Sequence, residues 1–153
     1  MRGYFGIGIE NCKTPANIGT LWRTAHNIGA AFIFVIGKRY KHQASDTTKA
    51  SRHLPLYHYE DFNEFYKNIP HNCQLVGVEY PDDRAVALPS FPHPERAVYL
   101  LGAEDHGLSK MAKDACHKMV FIPGSKLGTS LNVSVAGSII MYDRNSRQKE
   151  KAA

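Results

Sequence analysis

Residues 4–36 read YFGIGIENCKTPANIGTLWRTAHNIGAAFIFVI, and this stretch decides the fold. Residues 4–9 form a short β-branched and aromatic run, the composition of a strand. Pro15 and polar residues break it. Ile18, Leu21, Trp22, Ala25 and Ile28 then recur at intervals of three and four, which predicts a helix over 17–28 with one apolar stripe. Asn17 is the predicted cap, and Gly29 the stop. Residues 32–36 are apolar without alternation, as in a strand of a parallel sheet covered by helices on both faces. Strand, helix and buried strand in that order predict an α/β domain.

The same alternation extends to the C-terminus. Residues 56–59, 74–79, 97–101 and 118–122 read as further strands. Between them lie a short helix over 60–68, with Phe62, Phe65 and Tyr66 inward, and a helix from the Ser109 cap to Cys116. The stretch from 80 to 96 is a connection rich in proline (Pro81, Pro89, Pro92, Pro94). A last helix is expected over 132–145. Its β-branched residues Val133, Val135, Ile139 and Ile140 lower its intrinsic propensity, so packing must hold it. Its wide apolar surface suggests a partner beyond one sheet face. The tail from Arg144 is expected to fray, and the domain to occupy residues 1–148, leaving 149–153 as a tail.

The 153 residues suit one domain with an ordinary core. No apolar run is long enough for a bilayer, and no leader is recognisable at the N-terminus, so a membrane location is not expected. Cys12, Cys73 and Cys116 are an odd, widely spaced set that reads as reduced thiols in a cytosol. The net charge is +5, and the isoelectric point is about 9.1. All of the excess lies in residues 1–59, with eight basic and two acidic side chains, whereas residues 60–153 carry eleven and twelve. Lys38, Arg39, Lys41, Lys49 and Arg52 supply most of it, with Tyr40 among them. Cations interleaved with an aromatic ring suit phosphates and an unstacked base, although a solvated basic loop has the same composition. The polar segment 37–53 is long for a connection inside a compact domain, which marks it as a candidate functional loop.

Three constellations carry candidate chemistry. In the first, Asn17-Ile18-Gly19-Thr20-Leu21-Trp22-Arg23-Thr24-Ala25 opens the first helix. A helix-borne arginine such as Arg23 is ordinarily a surface ion-pair partner. In the second, Gly102-Ala103-Glu104-Asp105-His106-Gly107-Leu108-Ser109 follows a strand and ends on a helix cap, where α/β sheets bind ligands and glycine permits close backbone approach. Adjacent acids and a histidine rarely converge on one ion, and no spaced second cluster is present, so a metal site is not expected. The third runs from Ile122-Pro123-Gly124 to Ser130-Leu131-Asn132-Val133-Ser134. It lacks the Gly-Lys-Ser/Thr ending of a phosphate-binding P-loop, which argues against triphosphate hydrolysis.

Taken in order, the patterns N-x-G-x-x-x-R-x-A, G-x-E-x-x-G-L-S and I-P…S-L-N-V-S-x-A resemble the three motifs of the SpoU/TrmH-type RNA ribose 2′-O-methyltransferases of the SPOUT superfamily. The resemblance covers residues 4–148. It implies a parallel sheet flanked by helices on both faces, a deep C-terminal trefoil knot, and a cytoplasmic homodimer. It also implies S-adenosylmethionine as cofactor and methyl transfer to a ribose 2′-hydroxyl of RNA, with transfer RNA favoured. The alternatives are a ribosomal-RNA enzyme, and a non-catalytic RNA-binding module on the same scaffold. By resemblance Arg23 is the catalytic residue, Asn17 orients it or the ribose, and Ser130 and Asn132 face the transfer site. Gly102, Ile122, Leu131, Val78, Leu100 and Glu104 form the cofactor set, with Glu104 more a brace for the knot and dimer than a chemical group. Lacking any appended domain, the chain would draw RNA contacts from Lys38, Arg39, Lys41 and Arg52.

Overall fold

The computed structural model describes residues 3–38, 53–80, 82–124 and 130–153. In chain order the elements are β1 (Tyr4–Glu10), α1 (Pro15–Ile28), β2 (Phe32–Ile36), β3 (Leu56–Tyr59), α2 (Phe62–Lys67), β4 (Gln74–Val78), β5 (Ala85–Ala87), β6 (Arg96–Leu101), α3 (Lys110–Ala115), β7 (Lys118–Phe121) and α4 (Val133–Ala152). The strands form one sheet in the order β3-β2-β1-β6-β4-β7-β5. Every strand pairing is parallel, so all carboxyl ends leave from the same edge.

Side-chain alternation along β1 divides the core in two. Phe5, Ile7 and Ile9 face Ile18, Leu21, Trp22 and Ala25 of α1 and Ile140 and Met141 of α4. On the other face Phe32, Phe34 and Ile36 of β2 pack with Phe62 and Phe65 of α2 and with Ala112 of α3. Gly6 and Gly8 point to that second face. A Cβ on either would lie 2.2–2.5 Å from atoms of Phe32 or Phe34, so the bare strand leaves room for the rings. β2 is buried along its whole length, as its uniform apolar run predicts.

Gly29 ends α1 in the left-handed conformation, and the Ser109 side chain caps α3 by accepting from the Ala112 N–H. Other expectations need correction. The cap of α1 is Thr14, followed by Pro15 in the first turn. Asn17 is therefore the third residue of the helix and not its cap, with its side chain available for long-range bonds. Tyr66 is 46% exposed instead of inward. The proline-rich connection contains the edge strand β5, paired with β7, and a 3-10 turn over Leu88–Ser90.

The largest departure concerns α4, which continues to Ala152 instead of fraying at Arg144. Arg144 is 1% exposed and donates to the Pro94 and Glu95 carbonyls and to the Tyr99 hydroxyl. Arg147 donates to the Leu88 and Phe91 carbonyls and to Asp143. These bonds fasten α4 to the segment before β6, and residues 149–153 are exposed.

His93 sits inside the same network, 2.7 Å from the Tyr99 hydroxyl through Nδ1 and 2.8 Å from Asp143 through Nε2. Burial lowers its pKa below the ordinary value of 6.5, against the opposing pull of the Asp143 carboxylate. The folded state thus favours the neutral ring. Its contribution to stability is whole above the unfolded pKa and is lost as pH falls through that value towards the lower folded one. Urea unfolding between pH 7.5 and 5 should show declining stability, and His93→Gln should flatten that decline. An equal slope in both proteins would assign it elsewhere.

Candidate active site

β1 and β6 are neighbours in register, with Ile9 opposite Leu101. From β1 the chain runs outward through β2 and β3 and then crosses to the other side of the sheet. The β1–β6 pair is therefore where strand order reverses, the place at which open α/β sheets bind ligands. Each of these strands runs into one of the first two motifs.

The loop after β6 is held from both sides by acids at neighbouring strand ends. Glu10, the last residue of β1 and 3% exposed, accepts from the Ser109 N–H at 2.7 Å and from its hydroxyl at 2.8 Å. Glu79, just after β4, accepts from the Leu108 N–H at 2.8 Å, and Lys113 Nζ lies 3.9 Å from its other oxygen. Ala103 and Gly107 exchange two backbone bonds across the loop. Gly107 has a φ of 66°, and a Cβ there would meet Glu79 at 2.2 Å. Only glycine satisfies both constraints. The loop is thus tightly closed, with Glu104 at its tip.

Asn17 joins this loop to the third motif. Its Nδ2 donates to Glu104 Oε1, and its Oδ1 accepts from Asn132 Nδ2 at 3.1 Å. Asn132 Oδ1 in turn caps α4, accepting from the Ser134 N–H at 2.9 Å, the Ser134 hydroxyl at 2.6 Å and the Val135 N–H at 3.3 Å. A carboxylate can only accept and the helix amides can only donate, so the orientation of both carboxamides is dictated along the chain. One continuous run of hydrogen bonds, Glu104–Asn17–Asn132–Ser134, ties the three motifs together.

Arg23 stands apart from this run. Six residues along a helix turn its side chain about 120° from Asn17 around the axis, and it is exposed. Val78, the last residue of β4, and Ile122, just after β7, are half-buried against the α1/α4 core, whereas Leu100 is fully buried in the other core. Ser130 and Leu131 are exposed before α4, Leu131 by 48%. Lys38 is exposed. Arg39, Lys41 and Arg52 lie outside the described residues, as does 125–129 of the third motif's loop. The three cysteines are buried thiols not joined in a disulfide, and burial pushes the Cys116 thiol up to about 12, which keeps it protonated and unreactive.

Glu10 and Glu79 escaped the sequence reading. Their signal is visible afterwards: GIGIE and LVGVE each place one acid at the carboxyl end of an apolar strand. Glu10→Ala should cost about 1–3 kcal/mol in urea unfolding, because the half-buried Ser109 N–H and hydroxyl lose their acceptor. An unchanged midpoint would mean that water replaces the carboxylate.

The model of the SpoU rRNA Methylase family matches residues 5–142. An uncharacterized tRNA/rRNA methyltransferase of Archaeoglobus fulgidus is 32% identical over 96% of this chain and 66% of its own length. This chain spans between 45% and 66% of the curated relatives it matches. The SpoU methyltransferase AviRb from Streptomyces viridochromogenes, solved with AdoMet, superposes with a TM-score of 0.86 at 22% identity, covering 97% of this chain and 59% of that one. A structure described as giving structural insights into the 2-OH methylation of C/U34 on tRNA superposes with a TM-score of 0.83 at 20% identity, covering 98% and 99%. The last two establish likeness of fold.

Proposed function

Since this chain belongs to the SpoU rRNA methylase family, we propose that it transfers a methyl group from S-adenosylmethionine to a ribose 2′-hydroxyl of RNA, with transfer RNA as substrate. The observation that carries the reading is the hydrogen-bond run from Glu104 through Asn17 to Asn132, which gathers the three motifs at the carboxyl edge of the sheet. Transfer RNA is favoured because the match to the tRNA-methylation structure covers 98% of this chain and 99% of that one. The ribosomal alternative draws on the Ser130-Leu131-Asn132-Val133-Ser134 pattern, which resembles members with added RNA-binding parts.

The residues present fit the cofactor. Val78, Ile122 and Leu131 would offer apolar surface to an adenine, and Glu79 and Glu104 would supply negative charge to a cationic cofactor, while the missing side chain of Gly102 makes room for the backbone of Gly107 and Leu108 and so closes the loop. When bound, S-adenosylmethionine supplies an electrophilic methyl carbon. The chain's own task is to align the 2′-oxygen and manage its proton, because a ribose hydroxyl is a poor nucleophile until deprotonated. A guanidinium stays charged at any working pH, so Arg23 serves best by binding the target phosphate and stabilising the developing alkoxide. Asn17, Ser130 and Asn132 keep the transfer site ordered.

In this reading two copies complete the site. Val135, Ile139 and Tyr142 of α4 are exposed, Tyr142 by 69%, and with Thr20 and Ser138 they line a 310 Å³ groove between α1 and α4. A second copy seated on that stripe covers it and accounts for an Arg23 displaced from its own protomer's cluster. The knotted crossing belongs to the same proposal, as does a cytosolic setting.

The test is label transfer from S-adenosylmethionine into unmodified transfer RNA and ribosomal RNA, with 2′-O-methyl mapping. Incorporation into tRNA at one ribose is expected, whereas cofactor binding with no incorporation into either RNA would favour a non-catalytic module. Reversal of Lys38, Arg39 and Lys41 to Glu should weaken RNA binding and flatten its salt dependence, measured by anisotropy at several salt concentrations. Unchanged affinity would make the basic segment ordinary surface.

A further inference from the structure

On α1, His26 follows Arg23 by three residues, so both side chains share an exposed flank of the helix. Against His26 lies His53, from the far end of the basic segment. The two rings are stacked, with centroids 5.6 Å apart and planes 19° from parallel. This contact is anchored next door: Trp22 Nε1–H donates to the Leu54 carbonyl at 3.0 Å, and Leu54 is 3% exposed. Residue 53 is therefore held beside α1 by a buried bond, while both imidazoles remain exposed. No step of the proposed mechanism uses them.

We propose that His26 and His53 form a stacking platform for an unpaired nucleobase of the RNA. The inference rests on the RNA-directed reading above and gives it a subsite. Flat rings exposed at the surface offer π-faces on which any base can stack, and RNA recognition targets splayed, unstacked bases in this way. Arg23 on the same helix, and the basic composition of the sequence that precedes His53, favour a nucleotide over an apolar partner. Arg23 stands one turn away, and residues 38–52, with five cations and one acid, lead directly into His53. The platform is distinct from the Glu104–Asn17–Asn132 run, which leaves α1 on its α4 side. A base on the imidazoles would hold its own phosphate within reach of Arg23, so the platform would set which nucleotide enters a transfer site completed by a second copy.

The experiment uses the full chain and a fluorescein-labelled, unmodified single-stranded oligoribonucleotide carrying one 2-aminopurine. His26→Ala and His53→Ala should each weaken binding about tenfold and abolish the stacking-dependent quenching of 2-aminopurine. The double variant should lose little more than either single one, because the two rings act as one surface. His26→Phe keeps a flat face and should retain affinity and quenching. Melting temperatures show that each variant is folded. Alanine variants with wild-type affinity and quenching would overturn the platform. So would a His26→Phe protein as weak as His26→Ala, because the pair would then act through hydrogen bonds or protons. The two proposals fail separately. Stack-dependent quenching by a protein that methylates no RNA would remove the methyltransferase reading alone. Methylation with an unchanged KM for tRNA in the alanine variants would remove the platform alone.

Discussion

Arg23→Ala should lower methyl transfer by about a thousandfold while leaving S-adenosylmethionine binding intact. The split follows from position. Arg23 is exposed on α1, turned about 120° around the axis from Asn17, and takes no part in the run of hydrogen bonds that gathers the three motifs. Single-turnover rates and calorimetry on the same protein give the two readouts, and loss of both would refute the assigned role. Arg23→Lys separates the possible chemistries. A guanidinium acting as a fixed, bidentate charge cannot be replaced well by an ammonium, so the lysine protein should be slower with a pH–rate profile of the same shape. Full activity with lysine would exclude a guanidinium-specific role. Mixing adds a test of the two-copy site. Subunits carrying Arg23→Ala combined with subunits carrying Asn132→Ala regain activity only if Arg23 serves its partner's loop, since one site of the mixed dimer then holds both native residues.

Arg144→Ala should cost about 2–4 kcal/mol of stability, a large part of what a domain of this size has, because a buried network of charge-assisted hydrogen bonds is broken. The guanidinium bonds to Pro94, Glu95 and Tyr99 and lies over the Phe5 and Tyr99 rings, 5.1 and 6.0 Å from their centroids. Truncation removes the cation–π contacts and takes the donor from the Pro94 and Glu95 carbonyls, while the Tyr99 hydroxyl keeps only His93 as its partner. Burial already pushes Tyr99 up to about 12, so its hydroxyl cannot compensate by ionising near neutrality. Urea unfolding measures the loss. Arg144→Lys should recover only part of it, because an ammonium cannot reproduce the planar fork. A loss below about 1 kcal/mol would mean that the C-terminal half of α4 contributes little to the fold.

These residues also show what a sequence reveals. β2 was legible because a strand covered on both faces needs apolar side chains throughout, and Gly29 and Ser109 because helix ends depend on local backbone chemistry. β5 was hidden: three residues among prolines have no readable period, and their partner β7 lies more than thirty positions later. Arg144 was hidden for another reason. In a run rich in charge it reads as solvated, and the carbonyls that bury it belong to residues 94 and 95, about fifty positions earlier.

The candidate site divides in the same way. Spacing and resemblance picked out Asn17, Glu104 and Asn132 as members of three motifs, and the alternation of strands and helices placed those motifs after strands. Their mutual bonds span 87 and 115 positions, and the carboxylates of Glu10 and Glu79 reach their loop across 99 and 29. Periodicity and capping report on neighbours within a few residues, so they specify elements and their ends. Which acceptor meets which donor across a sheet edge depends on strand order, and only the folded chain decides it.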